Sequence, residues 1–188
     1  MTDKRDRAAR GEAPLWVFAY GSLIWNPGFE PAERRPAVLR DFHRSFCMRS
    51  IHHRGSETDP GLVLALDFAE GASCTGLALR VKREETREVM GALRERELIS
   101  SAYLEKRVEL ETESGPVTAV AFVIDRDHAQ YAGGLPLDSQ ANIIAAASGG
   151  RGTNADYLFQ TVEALDGLRI ADGELAELAT LVRRRREN

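Results

Sequence analysis

The sequence predicts an α+β fold, on three observations. Segments with β preference crowd the first half of the chain, one stretch of helical period is embedded among them, and helical periodicity takes over the last third. That order excludes the strand-helix alternation of a doubly wound sheet. A length of 188 residues suits one domain with a proper core. Residues 1–14 are charged and lack a hydrophobic centre, so they read as a disordered N-terminal segment, with 15–188 as a single domain.

The first strand is Trp16-Val17-Phe18-Ala19-Tyr20, a β-preferring run that meets a break at Gly21-Ser22. Asn26-Pro27-Gly28 and Pro31 mark a turn, and alternation over residues 37–48 predicts a second strand. A loop of Ser, Thr, Asp, Pro and Gly follows Gly55. Residues 62–68 and 75–81 read as two strands joined as a hairpin by Ala69-Glu70-Gly71-Ala72-Ser73. From 83 to 99 the period becomes helical, with Thr86, Val89, Met90, Leu93 and Glu97 on one stripe and Glu85, Glu88 and Glu95 off it. Residues 103–112 and 117–124 form a second hairpin across Glu113-Ser114-Gly115-Pro116. After a loop over 125–136, one helix runs from Asp138 to Gly149-Gly150. A second starts with Asn154 as its cap, and a third runs from Asp172 into Arg183–Arg186.

Composition narrows the function. A net charge of −4 argues against a general nucleic-acid binder, which needs a basic surface to displace counterions. The run Arg183 to Arg186 is a solvated helix end favoured by the helix dipole. Cys47 and Cys74 stand in no Cys-x-x-Cys or Cys/His ligand spacing, as expected of a reducing compartment without a structural disulfide. No apolar run reaches the length of a membrane span, so the expected location is the cytoplasm, away from membranes.

Two places carry candidate chemistry. Gly21 has no Cβ, so Tyr20-Gly21-Ser22-Leu23 can present backbone N–H groups to a carboxylate or an oxyanion, or serve as an ordinary strand-to-turn junction. Glu97 is the acid of its helix that falls on the apolar stripe. Either it pairs with Arg49, Arg54 or Arg96 as structure, or burial raises its pKa and keeps it for proton transfer. Arg49 and Arg54 are candidates to bind a substrate carboxylate. His52-His53 lack an evident third metal ligand, and Ser22 lacks the Gly-x-Ser-x-Gly elbow of a nucleophile, so its expected work is to donate a hydrogen bond or cap the loop. Gly149-Gly150-Arg151-Gly152 lacks the Lys-Ser/Thr of a phosphate loop and reads as a connector.

Several motifs together resemble one family. Tyr20-Gly21-Ser22-Leu23-Ile24-Trp25, the segment from Phe46 to Gly55 containing Arg49, Ser50, His52, His53 and Arg54, Arg96-Glu97 followed by Tyr103, and the stretch from Leu135 to Leu158 with Tyr157 are similar to the ChaC-type γ-glutamylcyclotransferases. The resemblance implies a γ-glutamylcyclotransferase-like fold on a small mixed β-barrel with flanking helices. It also implies cleavage of glutathione to 5-oxoproline and cysteinylglycine, with no metal or organic cofactor. In that family the glutamate matching Glu97 is the acid/base residue and the loop matching Tyr20 to Leu23 holds the γ-glutamyl group. Ser50, Tyr103 and Tyr157 join the expected substrate-binding set by their place in the matched motifs. One departure is Ser100-Ser101, which stands where some relatives carry glycines. Two other readings stay open: a cyclotransferase for other γ-glutamyl amino acids or amines, and a non-catalytic γ-glutamyl metabolite-binding or regulatory protein. Oligomeric state is not readable.

Overall fold

The structure, a computed structural model, describes residues 13–187. The disorder expected over 1–14 therefore falls mainly on residues outside that range.

Five strands, β1 (Trp16–Ala19), β2 (Glu33–Ser50), β3 (Gly61–Arg80), β4 (Tyr103–Thr112) and β5 (Val117–Ile124), close a barrel in the order β1-β3-β2-β4-β5. The barrel is mixed: β1 and β3 each run parallel to β5, and the other pairings are antiparallel. β1 lies between β3 and β5, and all four of its residues are buried, which is why it is continuously apolar rather than alternating. Phe18, Phe46, Phe122, Leu62, Leu66 and Leu79 are among the largest fully buried side chains.

The hairpin expected at 69–73 is absent. Residues 61–80 form one strand, and both its halves pair with β2, whose register jumps from Arg40 opposite Ser73 to Phe42 opposite Phe68. Asp41, at φ 61°, faces the bulged residues and accepts a hydrogen bond from Gly71 N at 2.9 Å; Gly71 itself has φ 76°. A Gly/Ala/Ser insert with one left-handed glycine suits a bulge as well as a turn, and only the pairing partner separates them. The second hairpin stands as expected, with Gly115 at φ 100° in the turn.

Helix α1 (Thr86–Glu97) follows a 3₁₀ turn over Arg83–Glu85 and buries Val89, Met90 and Leu93, the expected stripe. Helices α2 (Leu137–Ala146), α3 (Asn154–Gly167) and α4 (Gly173–Glu187) pack on one another, and α2 and α3 also pack on β3. Between α2 and α3, where a plain connector was expected, β6 (Ser148–Gly149) and β7 (Gly152–Thr153) make a miniature hairpin. Thr153, not Asn154, caps α3: its Oγ1 accepts from Asp156 N at 3.1 Å. Asp172 caps α4 by accepting from Leu175 N at 3.1 Å. Cys47 and Cys74 are free thiols, and burial pushes them up to about 12 and about 11 respectively.

One buried cation ties these layers together. Arg44 of β2 donates to the Tyr20 carbonyl at 2.6 Å and to the Thr75 carbonyl, and its Nε lies 3.0 Å from Asp172 Oδ2. Its side chain is 4% exposed. Removing one partner of such a pair leaves the other desolvated and uncompensated. Arg44→Met is therefore expected to lower the unfolding free energy by about 3 kcal/mol, read from urea titration.

Candidate active site

The site forms where the barrel stops closing. β3 and β5 meet at a single pair, Leu66 opposite Val123, and among the described residues the remaining edge of β3 toward Gly61 has no strand beside it. Buried backbone groups need partners, and side chains supply them. The Asn154 amide accepts from Leu62 N and donates to Leu62 O, both at 2.6 Å, as a neighbouring strand would. Leu64 N donates to Tyr157 Oη at 3.4 Å, and Leu64 O accepts from Tyr103 Oη at 2.7 Å. A third phenol, Tyr20, donates to Phe122 O at 2.9 Å. Burial raises the pKa of all three, so they stay protonated, Tyr20 and Tyr103 as donors and Tyr157 as the acceptor from Leu64 N.

Beside this edge is a cavity of about 370 Å³. Tyr20, Gly21, Ser22, Leu23, Ser50, Arg54, Glu97, Tyr103 and Tyr157 all line it, so most of the residues singled out from the sequence come together here. Arg49 does not. Met48 and Ser50 face the cavity, and strand alternation sends Arg49 to the other side, where its backbone exchanges hydrogen bonds with Gln130 at 2.8 and 2.7 Å.

The loop after β1 is a 3₁₀ turn over Ser22–Ile24. Ile24 N bonds Gly21 O at 2.9 Å, which leaves the N–H groups of Ser22 and Leu23 ahead of the first bond of the turn. A Cβ on Gly21 would meet Tyr157 Oη at 3.6 Å and Leu64 at 3.7 Å, so ordinary contact is all that lies beside it. The Ser22 hydroxyl accepts from Arg96 at 2.8 Å.

Glu97 ends α1 with its side chain 16% exposed. Burial raises its pKa, while Arg96 and Arg151 act in the opposite direction. Arg96 Nε lies 3.1 Å from Oε1, yet that oxygen is sealed from solvent and among the described residues has no hydrogen-bond partner. The two readings of Glu97 thus coexist: it is paired with an arginine and is also harder to ionise than a free carboxyl. Arg96 does more than neutralise. It also donates to Asn26 O at 2.7 Å, so one guanidinium holds the 3₁₀ turn against the carboxylate.

Arg54, 9% exposed, donates to Thr153 O at 3.1 Å and lies 5.5 Å over the Tyr157 ring. The Ser50 hydroxyl accepts from Arg54 N at 3.0 Å, so part of its work is to shape the local turn. His53 turns into the cavity while His52 is exposed. Burial, with the neighbouring Arg151, lowers the His53 pKa and keeps the ring neutral at pH 7. Arg96, Arg151 and His53 are the titratable lining residues the sequence argument did not assign to a binding role. The adjacency of Arg96 to Glu97 was the available signal, whereas Arg151 needed the hairpin that carries it. Ser101, in the Ser100-Ser101 departure, has φ 56°, a conformation that favours glycine.

Comparison with known proteins bears on the family and the fold. A family model described as "ChaC-like protein" matches residues 15–185. The glutathione-specific γ-glutamylcyclotransferase of Escherichia coli K12 is 38% identical over 174 residues, covering 92% of this chain and 74% of that protein. γ-Glutamylcyclotransferase 2-1 of Arabidopsis thaliana is 36% identical over 178 residues, covering 90% of this chain and 82% of that one. The crystal structure of a yeast γ-glutamyl cyclotransferase specific to glutathione superposes with a TM-score of 0.84 at 23% identity, covering 93% of this chain and 98% of that chain, and shares the fold. From barrel to cavity, and over nearly its whole length, the chain belongs to the ChaC-like family.

Proposed function

We propose that this protein cyclises the γ-glutamyl group of glutathione, releasing 5-oxoproline and cysteinylglycine, with Glu97 as the acid/base residue. The observation that carries the reading is Glu97 itself: a carboxylate with a sealed, hydrogen-bond-free oxygen and a raised pKa, in the same cavity as the Ser22–Leu23 N–H groups. Relatives named glutathione-specific γ-glutamylcyclotransferases, the Escherichia coli protein among them, support the substrate.

The substrate carries its own nucleophile. Its α-ammonium loses a proton to Glu97, and the freed amine attacks the γ-carbonyl carbon to form the lactam C–N bond. The developing oxyanion is held by the N–H groups of Ser22 and Leu23. Collapse breaks the amide C–N bond to cysteine as Glu97 returns the first proton to the departing nitrogen, and the attacking nitrogen gives up its second proton, which leaves a neutral lactam and the cysteinylglycine amine as its ammonium. Folding the substrate so that amine meets carbonyl supplies the proximity term, on the order of 7–11 kcal/mol in well-oriented intramolecular reactions. Arg54, which lines the same cavity, takes the α-carboxylate, and Arg96 keeps Glu97 ionisable enough to accept the first proton. A pure binding pocket would gain little from a desolvated carboxylate. A preference for other γ-glutamyl compounds would appear as 5-oxoproline formed without cysteinylglycine.

Glu97→Gln is expected to lower 5-oxoproline and cysteinylglycine release from glutathione by about 10²–10⁴-fold, measured by mass spectrometry. Glu95→Gln, whose side chain is on the exposed face, should match wild type.

A second outcome concerns stability. A carboxyl whose pKa is higher in the folded than in the unfolded chain binds protons more tightly when folded, so its contribution falls as pH rises above the unfolded value of about 4.3. Glu97→Gln should therefore be more stable than wild type at neutral pH in urea titration, with the gap closing below about pH 4.

A third concerns Arg96, which draws the Glu97 pKa down. In Arg96→Met the acidic limb of kcat/KM is expected to move to higher pH; a loosened turn alone would lower the profile without moving that limb.

A further inference from the structure

The cavity lining holds three arginines, Arg54, Arg96 and Arg151, and one carboxylate, Glu97. Their commitments differ. Arg96 is taken by Ser22, Asn26 and Glu97. Arg54 is buried, bonded to Thr153 O and stacked on Tyr157. Arg151 is exposed, and among the described residues its guanidinium has no hydrogen-bond or ion-pair partner.

The scaffold nevertheless fixes where Arg151 stands. It sits at the tip of the β6–β7 hairpin, whose Gly150 N and Arg151 N donate to His52 O at 3.0 Å and His53 O at 2.9 Å. A Cβ on Gly149 would lie 2.5 Å from Gly55 N, so that contact admits only glycine, and Gly152 closes the turn at φ 100°. The hairpin is thus docked against the segment that brings His53 and Arg54 to the cavity, and it delivers one cation to the rim.

We infer that Arg151 is a specificity-determining residue that binds the C-terminal carboxylate of a tripeptide substrate. The inference rests on the cyclotransferase reading of the cavity. That reaction puts the γ-glutamyl end between the 3₁₀ turn and Glu97, which leaves the Cys-Gly arm to run toward the rim. Two extended residues span about 7 Å and end in a carboxylate, the group a guanidinium binds bidentately. His53 is neutral at pH 7 and does not compete for this role. A γ-glutamyl amine lacks the terminal carboxylate, so the same residue separates the tripeptide from smaller γ-glutamyl compounds.

The test is steady-state release of 5-oxoproline from glutathione and from its C-terminal amide, by wild type, Arg151→Gln and Arg151→Lys. Wild type is expected to prefer the acid by roughly 10- to 100-fold in kcat/KM, as for a hydrogen bond to a charged group. Arg151→Gln should lose that preference, bringing the ratio near one, and Arg151→Lys should restore part of it. Any influence of Arg151 on Glu97 acts on both substrates and cancels in the ratio. An active wild type whose acid-to-amide ratio is unchanged in Arg151→Gln overturns the inference alone. A wild type that releases 5-oxoproline from neither compound overturns the cyclotransferase reading and the inference with it.

Discussion

The single pair Leu66–Val123 is the constraint on which the rest depends. A closed barrel satisfies its backbone without help; this one parts on the Gly61 side of that pair and leaves a buried strand edge. Polar backbone in a dry interior requires partners, so Asn154, Tyr157 and Tyr103 are committed to Leu62 and Leu64. The opening that calls for them also borders the cavity that Tyr103, Tyr157 and Glu97 line. One geometric decision therefore creates the cavity, recruits its aromatic lining and anchors the first turns of α3 to the barrel.

Charge in the cavity is arranged around cost and moderation. Glu97 is desolvated, which raises its pKa, and the arginines draw it part of the way back. The balance suits a group that must take a proton and give it up again near neutrality. It also makes the site a place where the fold gives up stability, in keeping with the general tension between rigid packing and reactive groups. Arg96 shows how few parts this needs, since its one side chain sets both the electrostatics of the carboxylate and the distance of the 3₁₀ turn from it.

Much of this was legible in the chain. Helical phase alone turned Glu97 inward, because a 3.6-residue period leaves little freedom about which face a residue occupies. The Gly21-Ser22 break and the 103–124 hairpin were readable for the same local reason. Most of the misreadings were non-local. A bulge and a turn share the composition Ala69-Glu70-Gly71-Ala72-Ser73, and only pairing of both flanks with β2 tells them apart. Asn154 has the chemistry of a helix cap, but an open strand edge far away in sequence claimed its amide. Arg49 failed because two neighbouring strand positions cannot face the same cavity, and Ser50 holds the inward place. Arg151 sat in a glycine-rich stretch whose shape depends on docking against residues about a hundred positions earlier.

Arg44 joins the Tyr20 carbonyl, at the threshold of the 3₁₀ turn, to Asp172, which caps the last helix. The two ends of the domain are thus clamped by one guanidinium. During synthesis Tyr20, Arg44 and Thr75 emerge long before Asp172, so the buried guanidinium lacks its ion-pair partner until residue 172 has left the ribosome. A nascent chain can thus carry both carbonyls that Arg44 bonds and still lack the carboxylate that offsets its desolvation.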